Sequence, residues 1–212
     1  MTPETSDTRE RLLEAAMELF TFQGYANTPL SQIARKAGVL PGSLHYFFPT
    51  KDDLLHATLQ RRKELLWGEV LERIWAAHED PIERVFGLLG GYREMLAVTD
   101  FGHGCPIGNL VIEVAATHPD ARRLLVQNFE NWLDHVARCF EDAADRLPSR
   151  VSARRLATFV LVTMEGAVML ARAWRNFDAY DCAVVQLRDY VERLLADGAE
   201  EHRTKRTKRR RA

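Results

Sequence analysis

The sequence predicts an all-α protein built in two parts. Apolar residues recur at helical spacing, three and four apart, in nearly every segment, and these segments open on a threonine, serine or aspartate, on a proline, or on both. No stretch combines strand alternation with hairpin turn residues. About nine helices are expected: a small N-terminal helical domain over 1–55, a larger helical domain over 56–200 and a basic tail over 201–212.

In chain order, residues 7–23 read as the first helix, with Leu12, Leu13, Ala16, Leu19 and Phe20 on one face and Arg9, Arg11, Glu14 and Glu18 on the other. Gly24 ends it. Thr28 followed by Pro29 predicts the second helix, because the hydroxyl can accept from an orphan amide and proline at the first position wastes no donor. Leu30, Ile33, Ala34 and Ala37 are its apolar face, and Gly38 closes it in the left-handed conformation. A third helix starts at Pro41 and stops before Pro49. Two short helices joined by a tight glycine turn form the helix-turn-helix pattern.

Thr50 and Asp53 give a T-x-x-D capping pattern for a fourth helix from Lys51 to about Ala77. Asp80, Pro81 and Glu83 open a fifth, which reaches a break at Phe101, Gly102, His103 and Gly104. Pro106 opens a short sixth and Pro119 a seventh that ends near Leu147 and Pro148. Ser152 caps an eighth from Ala153 to about Asn176, and Asp178 a ninth from Ala179 to Ala196.

The run ARKAGVLPGSLHYFFPTKDDLL resembles the signature of the TetR family of bacterial transcriptional regulators, carried by Ala34, Gly38, Gly42, Leu44, Tyr46, Phe48 and Lys51. The resemblance implies an N-terminal DNA-binding domain and a C-terminal ligand-binding and dimerisation domain. It places Thr28, Tyr46 and Lys51 on phosphate, with Pro41, Gly42 and Ser43 at bases or close to the backbone. Many members carry a basic or polar residue at position 41 and tyrosine at 45, whereas here these are Pro41 and His45. Base readout is therefore open: Pro41 offers only apolar contact, and His45 can donate to phosphate or to a purine acceptor.

The segment FVLVTMEGAVMLARAW resembles the family's dimer helix, and Gly166, Ala167 and Leu170, with Leu187, Val191 and Leu194 on the last helix, are the expected dimer residues. Two heads on one symmetric dimer would read a palindromic operator. The segment HGCPIGNLVIEVA resembles the GCxxGN opening of helix six in a subgroup concerned with drug and toxic-compound response. That resemblance implies a pocket for a small hydrophobic effector, with lining candidates Phe86, Leu89, Tyr92, Arg93, Leu96, Ile107, Leu110, Val111, Phe129, Trp132, Leu133, Val136 and Met164. Most of these residues would be core in any case.

Charge and cysteine usage narrow the class. The formal net charge is −1, from 29 basic and 30 acidic residues. Seven of the basic residues lie in the last ten positions, which contain no acid, so the body of the chain carries 22 against 30 and stands at −8. A DNA reader of this charge uses a few placed donors rather than a broad basic face. The tail, without apolar residues, is expected to be disordered and could add salt-sensitive phosphate attraction or only solubility.

Three spaced cysteines, Cys105, Cys139 and Cys182, argue against a disulfide framework or zinc ribbon, and no cofactor or metal is expected. Residues 1–11 are polar and charged, and no apolar run approaches the ~20 residues of a membrane span. The expected location is cytoplasmic, with no membrane partner. No catalytic motif of the G-x-S-x-G, P-loop, H-E-x-x-H or dinucleotide type occurs, so an enzyme is not expected.

The reading is a homodimeric repressor released from a double-stranded DNA operator by a small hydrophobic effector. Its alternatives are a ligand-independent or activating DNA-binding protein, and a redox or electrophile sensor using Cys105. That cysteine stands before Pro106 at a helix start, where the dipole favours thiolate.

Overall fold

A computed structural model describes residues 3–211, and among them the regular elements are all helical. The elements are α1 (Pro3–Gln23), α2 (Leu30–Lys36), α3 (Pro41–Phe47), α4 (Lys51–Leu65), a π-helical turn (Leu66–Leu71), α5 (Glu72–Ala77), α6 (Pro81–Val98), α7 (Pro106–Val114), α8 (Pro119–Asp142), a short 3-10 turn (Ala144–Arg146), α9 (Ala153–Trp174) and α10 (Asp178–Arg211). With α4, the π turn and α5 counted as one run, these are the nine helices expected. The interruption surrounds Gly68, the residue type that least resists departure from α geometry.

By contact the chain divides into two compact units. The first runs to Glu69 and adds Gly102–Asn131; the second takes Val70–Phe101 and the chain from Trp132 onward. This partition differs from a simple cut at residue 55, because α7 and the first half of α8 pack with the N-terminal head.

In the first unit, Leu12, Leu13, Ala16 and Phe20 of α1 are buried with Ile33 and Ala34 of α2, Leu44 of α3, and Leu54, Leu55 and Leu59 of α4. Removing these side chains from water supplies the main stabilisation of the head, roughly 1.5–3 kcal/mol for each large one. Gly38, at φ 66°, makes the turn between α2 and α3; its N–H donates to Arg35 O, and that of Val39 to Ala34 O. Thr50 and Asp53 form a reciprocal capping box on α4. The second helix begins one residue later than expected, with Pro29 at its cap and no side-chain cap bond, so Thr28 is not a helix cap.

In the second unit, α9 packs against α6 and α10. Asp80 caps α6 by accepting from Ile82 N–H at 2.7 Å. Arg188 makes a bidentate pair with Glu83 at 2.7 and 3.0 Å, and the Tyr180 hydroxyl donates to Leu89 O at 2.6 Å. Opposite Gly198, α10 meets the backbone of the 3-10 turn so closely that a Cβ there would stand 2.2 Å from Arg146 O, which admits only glycine. The break after α6 takes its left-handed residues from Asp100 and Phe101 rather than from the following glycines.

One further expectation changes. The basic end is helical rather than disordered, since α10 continues to Arg211. Glu201 pairs with Lys205 at 2.5 Å on successive turns, and Glu200 with Arg203, so the acidic residues before the tail carry the helix into it. By length and composition α9 could cross a membrane. Glu165 and Arg172 break its apolar run, and one face of α9 packs against α6 and α10.

Candidate nucleic-acid interface

α3 lies at the surface of the first unit. Leu44 and the following Phe48 anchor it inward, while Pro41, Gly42, His45 and Tyr46 are exposed and Ser43 is half-buried. Tyr46 is 78% exposed, its ring edge-on to Phe47 at 5.1 Å, and is therefore not a core aromatic. Leu40, at the N-cap of α3, is 77% exposed. An uncovered leucine beside Pro41 adds apolar surface suited to a thymine methyl. No atom lies within 4 Å of a Cβ built on Gly42, so its glycine is not required by packing within the protein.

Thr28 and Lys51 are drawn inward. Thr28 is wholly buried; its hydroxyl donates to Gly24 O at 2.6 Å and accepts from Gln23 Nε2 at 3.1 Å, which leaves the expected phosphate contact without an accessible hydroxyl. Lys51 Nζ donates to Tyr25 O at 2.5 Å and stands 4.2 Å from the centre of the Tyr25 ring. Burial lowers the Lys51 pKa, and the nearby carboxylates of Glu113 and Asp52 oppose that shift. The Tyr25 hydroxyl donates to Asp52; burial first, then this bond, raises its pKa far above the usual phenol range.

The same cluster holds residues that sequence spacing could not find. Ala26 N–H donates to Glu113 Oε2 at 3.0 Å, Asn109 Nδ2 donates to Thr21 O at 3.3 Å, and His118 Nε2 lies 3.5 Å from Asp52. His118 also meets the Tyr25 ring edge-on at 5.4 Å. Only the folded chain brings together positions about ninety apart.

The effector-lining candidates divide between the units: Ile107, Leu110, Val111 and Phe129 in the first, the other nine in the second. Phe86, Leu89, Leu96, Trp132, Leu133, Val136 and Met164 are buried, and the Trp132 indole Nε1 has no hydrogen-bond partner. Arg93 departs from the set. It is exposed, pairs bidentately with Asp181 at 2.7 and 2.9 Å, and covers the Phe177 ring at 4.0 Å.

Of the dimer candidates, Ala167, Leu187, Val191 and Leu194 are buried within the second unit and are core of the single chain. Gly166 and Leu170 remain at the surface, and around them Phe159, Val162, Met169 and Trp174 of α9 and Val185 and Tyr190 of α10 are exposed. Helical periodicity found the apolar faces of both helices without showing which side the chain itself covers. Beside the exposed Phe159–Tyr190 pair opens a groove of about 610 Å³ bearing Arg150, Arg155 and Arg193. Cys105 is buried, and its sulfur caps α7 by accepting from Gly108 N–H at 3.5 Å. Among the described residues no group of His, Cys, Asp and Glu has the arrangement of a metal site.

A helical head in which α2 and α3 are joined by a short glycine turn and α3 is uncovered defines a helix-turn-helix DNA-binding protein. Residues 12–58 match the profile of the bacterial regulatory proteins of the tetR family, and residues 81–201 that of the tetracyclin repressor-like C-terminal domain. The chain belongs to the TetR family of DNA-binding transcriptional regulators. It is 31% identical over 202 residues to an uncharacterized HTH-type transcriptional regulator of Mycobacterium tuberculosis, covering 92% of this chain and 98% of that one. It is 28% identical over 172 residues to the HTH-type transcriptional regulator LmrA of Bacillus subtilis, covering 80% and 89%. Among solved structures, a TetR transcriptional regulator from Chloroflexus aurantiacus superposes with a TM-score of 0.79 at 28% identity, covering 90% and 97%.

Proposed function

We propose that the protein is a homodimeric, cytoplasmic repressor without catalytic activity, which binds a palindromic operator and is released by a small hydrophobic effector. The carrying observation is the uncovered apolar face on α9 and α10, formed by Phe159, Val162, Met169, Leu170, Trp174, Val185 and Tyr190. A contiguous apolar face of this kind calls for a partner, and a second copy supplies a self-complementary one. Two reading helices held about one DNA turn apart, roughly 34–36 Å, would engage the two half-sites.

The repressor reading draws support from the tetracyclin repressor-like C-terminal match and from a relative named the HTH-type transcriptional repressor DhaR, of a Mycobacterium species, at 25% identity over 175 residues. The GCPIGN segment supports a place in the drug-response subgroup. The apolar set Phe86, Leu89, Tyr92, Leu96, Trp132, Leu133, Val136 and Met164 suits a hydrophobic effector, and the unpartnered Trp132 N–H favours one that carries an acceptor oxygen. On α3, Pro41, Gly42, Ser43, His45 and Tyr46 would contact the operator, with Leu40 added to them.

The test is a genomic footprint, followed by sedimentation of the complex and a release screen with hydrophobic compounds. A palindromic footprint bound by two chains and weakened by at least one compound is expected. A monomer on an asymmetric site, or a complex that no compound loosens, would overturn the reading.

A further inference from the structure

The turn from Gly24 to Ala26, which joins α1 to the helix-turn-helix, is bonded at every residue. Gly24 O accepts from the Thr28 hydroxyl at 2.6 Å. Tyr25 O accepts from Lys51 Nζ at 2.5 Å and from Thr28 N–H at 3.2 Å. Ala26 N–H donates to Glu113 Oε2 at 3.0 Å, its acceptor provided by α7. The other carboxylate oxygen of Glu113 stands so near Gly24, itself at φ 86°, that a Cβ there would lie 2.4 Å from it. One turn earlier on the same face of α7, Asn109 donates to Thr21 O at the end of α1.

A carboxylate seated on a backbone N–H in a turn has no packing purpose of its own. Glu113 is exposed and contributes nothing to the apolar core. What it fixes is the direction in which the chain leaves α1, and with it the placing of α2 and the start of α4 through Thr28 and Lys51. We propose that Glu113, assisted by Asn109, is a positioning residue for DNA reading: it clamps the 24–26 turn so that the helix-turn-helix is presented in its binding geometry. The GCPIGN segment then has a second task, since its asparagine and the glutamate four residues on form the clamp. This rests on the DNA-binding function of the head and goes beyond the residues that touch the operator.

The experiment uses the full chain and the DNA fragment from its footprint, with Glu113→Ala, Glu113→Gln and Asn109→Ala. Affinity is read by fluorescence anisotropy, and amide exchange over residues 24–28 by mass spectrometry. Glu113→Ala is expected to weaken DNA binding about tenfold and to speed exchange over the turn, because one charge-assisted hydrogen bond is lost. Glu113→Gln keeps an acceptor oxygen and should stay within about threefold of the unmodified chain, while Asn109→Ala should fall between. Sedimentation mass should not move, and the melting temperature should fall only by the few degrees that one surface hydrogen bond is worth, since Glu113 is outside the core. Unmodified affinity in Glu113→Ala, or equal losses in the alanine and glutamine variants, would overturn the proposal. If the unmodified chain binds no DNA, the DNA-reading function fails separately, and unchanged exchange over the turn in Glu113→Ala still overturns the clamp.

Discussion

Lys51 donates to the main-chain carbonyl of Tyr25 at 2.5 Å and lies over the ring of the same residue at 4.2 Å. A cation at the start of α4, where the family pattern points to a phosphate, is thus also a tie between α4 and the turn after α1. Lys51→Ala should lower the stability of the head by about 1–2 kcal/mol, from one charge-assisted hydrogen bond and one cation–π contact. Urea unfolding followed by circular dichroism checks this. A residue serving DNA alone would leave the midpoint unchanged.

Tyr46, exposed on α3, has a hydroxyl free to reach phosphate. Tyr46→Phe should weaken binding to every sequence by about 1 kcal/mol, roughly fivefold, without changing the melting temperature. His45→Ala and Ser43→Ala should instead alter which bases are preferred. Selection from a randomised DNA pool distinguishes the two behaviours.

The side chains of α9 and α10 that remain uncovered predict the association state. Val162→Glu places a charge at a position 65% exposed in the single chain and should yield a folded monomer by sedimentation. Leu187→Ala should instead cost about 2–5 kcal/mol of stability, since that leucine is buried within one chain.

Acid should loosen the second unit. The hydrogen bond from Arg188 holds Glu83 below its ordinary 4.5, that from Arg93 holds Asp181 below 3.8, and Lys205 with Ser149 brings Glu201 down to about 2. Folded pKa values below the unfolded ones mean that these ion pairs contribute fully above about pH 4.5 and are lost as pH falls through the folded values. The melting temperature should therefore drop below about pH 4.5. The double variant Glu83→Gln with Asp181→Asn should flatten that drop in a pH series.

The basic end of α10 should act through salt. Deleting residues 203–212, with seven Lys and Arg, is expected to reduce the slope of log affinity against log salt, because fewer counterions are released from DNA. An unchanged slope would assign the tail to solubility alone.

The sequence by itself determined which segments up to Ala196 are helical, the turn at Gly38, the capping box of Thr50 and Asp53, and the position of α3. These depend on neighbours three or four residues apart, where proline, glycine and hydroxyl caps act locally. Tertiary structure alone decided what each helical face meets. It turned Thr28 and Lys51 inward, placed Leu187, Val191 and Leu194 in the core, freed Phe159, Val162 and Tyr190, and set Glu113 on the amide of Ala26. An amphipathic pattern records that a face is apolar, but not whether the same chain covers it. A hydrogen bond across 87 residues leaves no trace in local spacing.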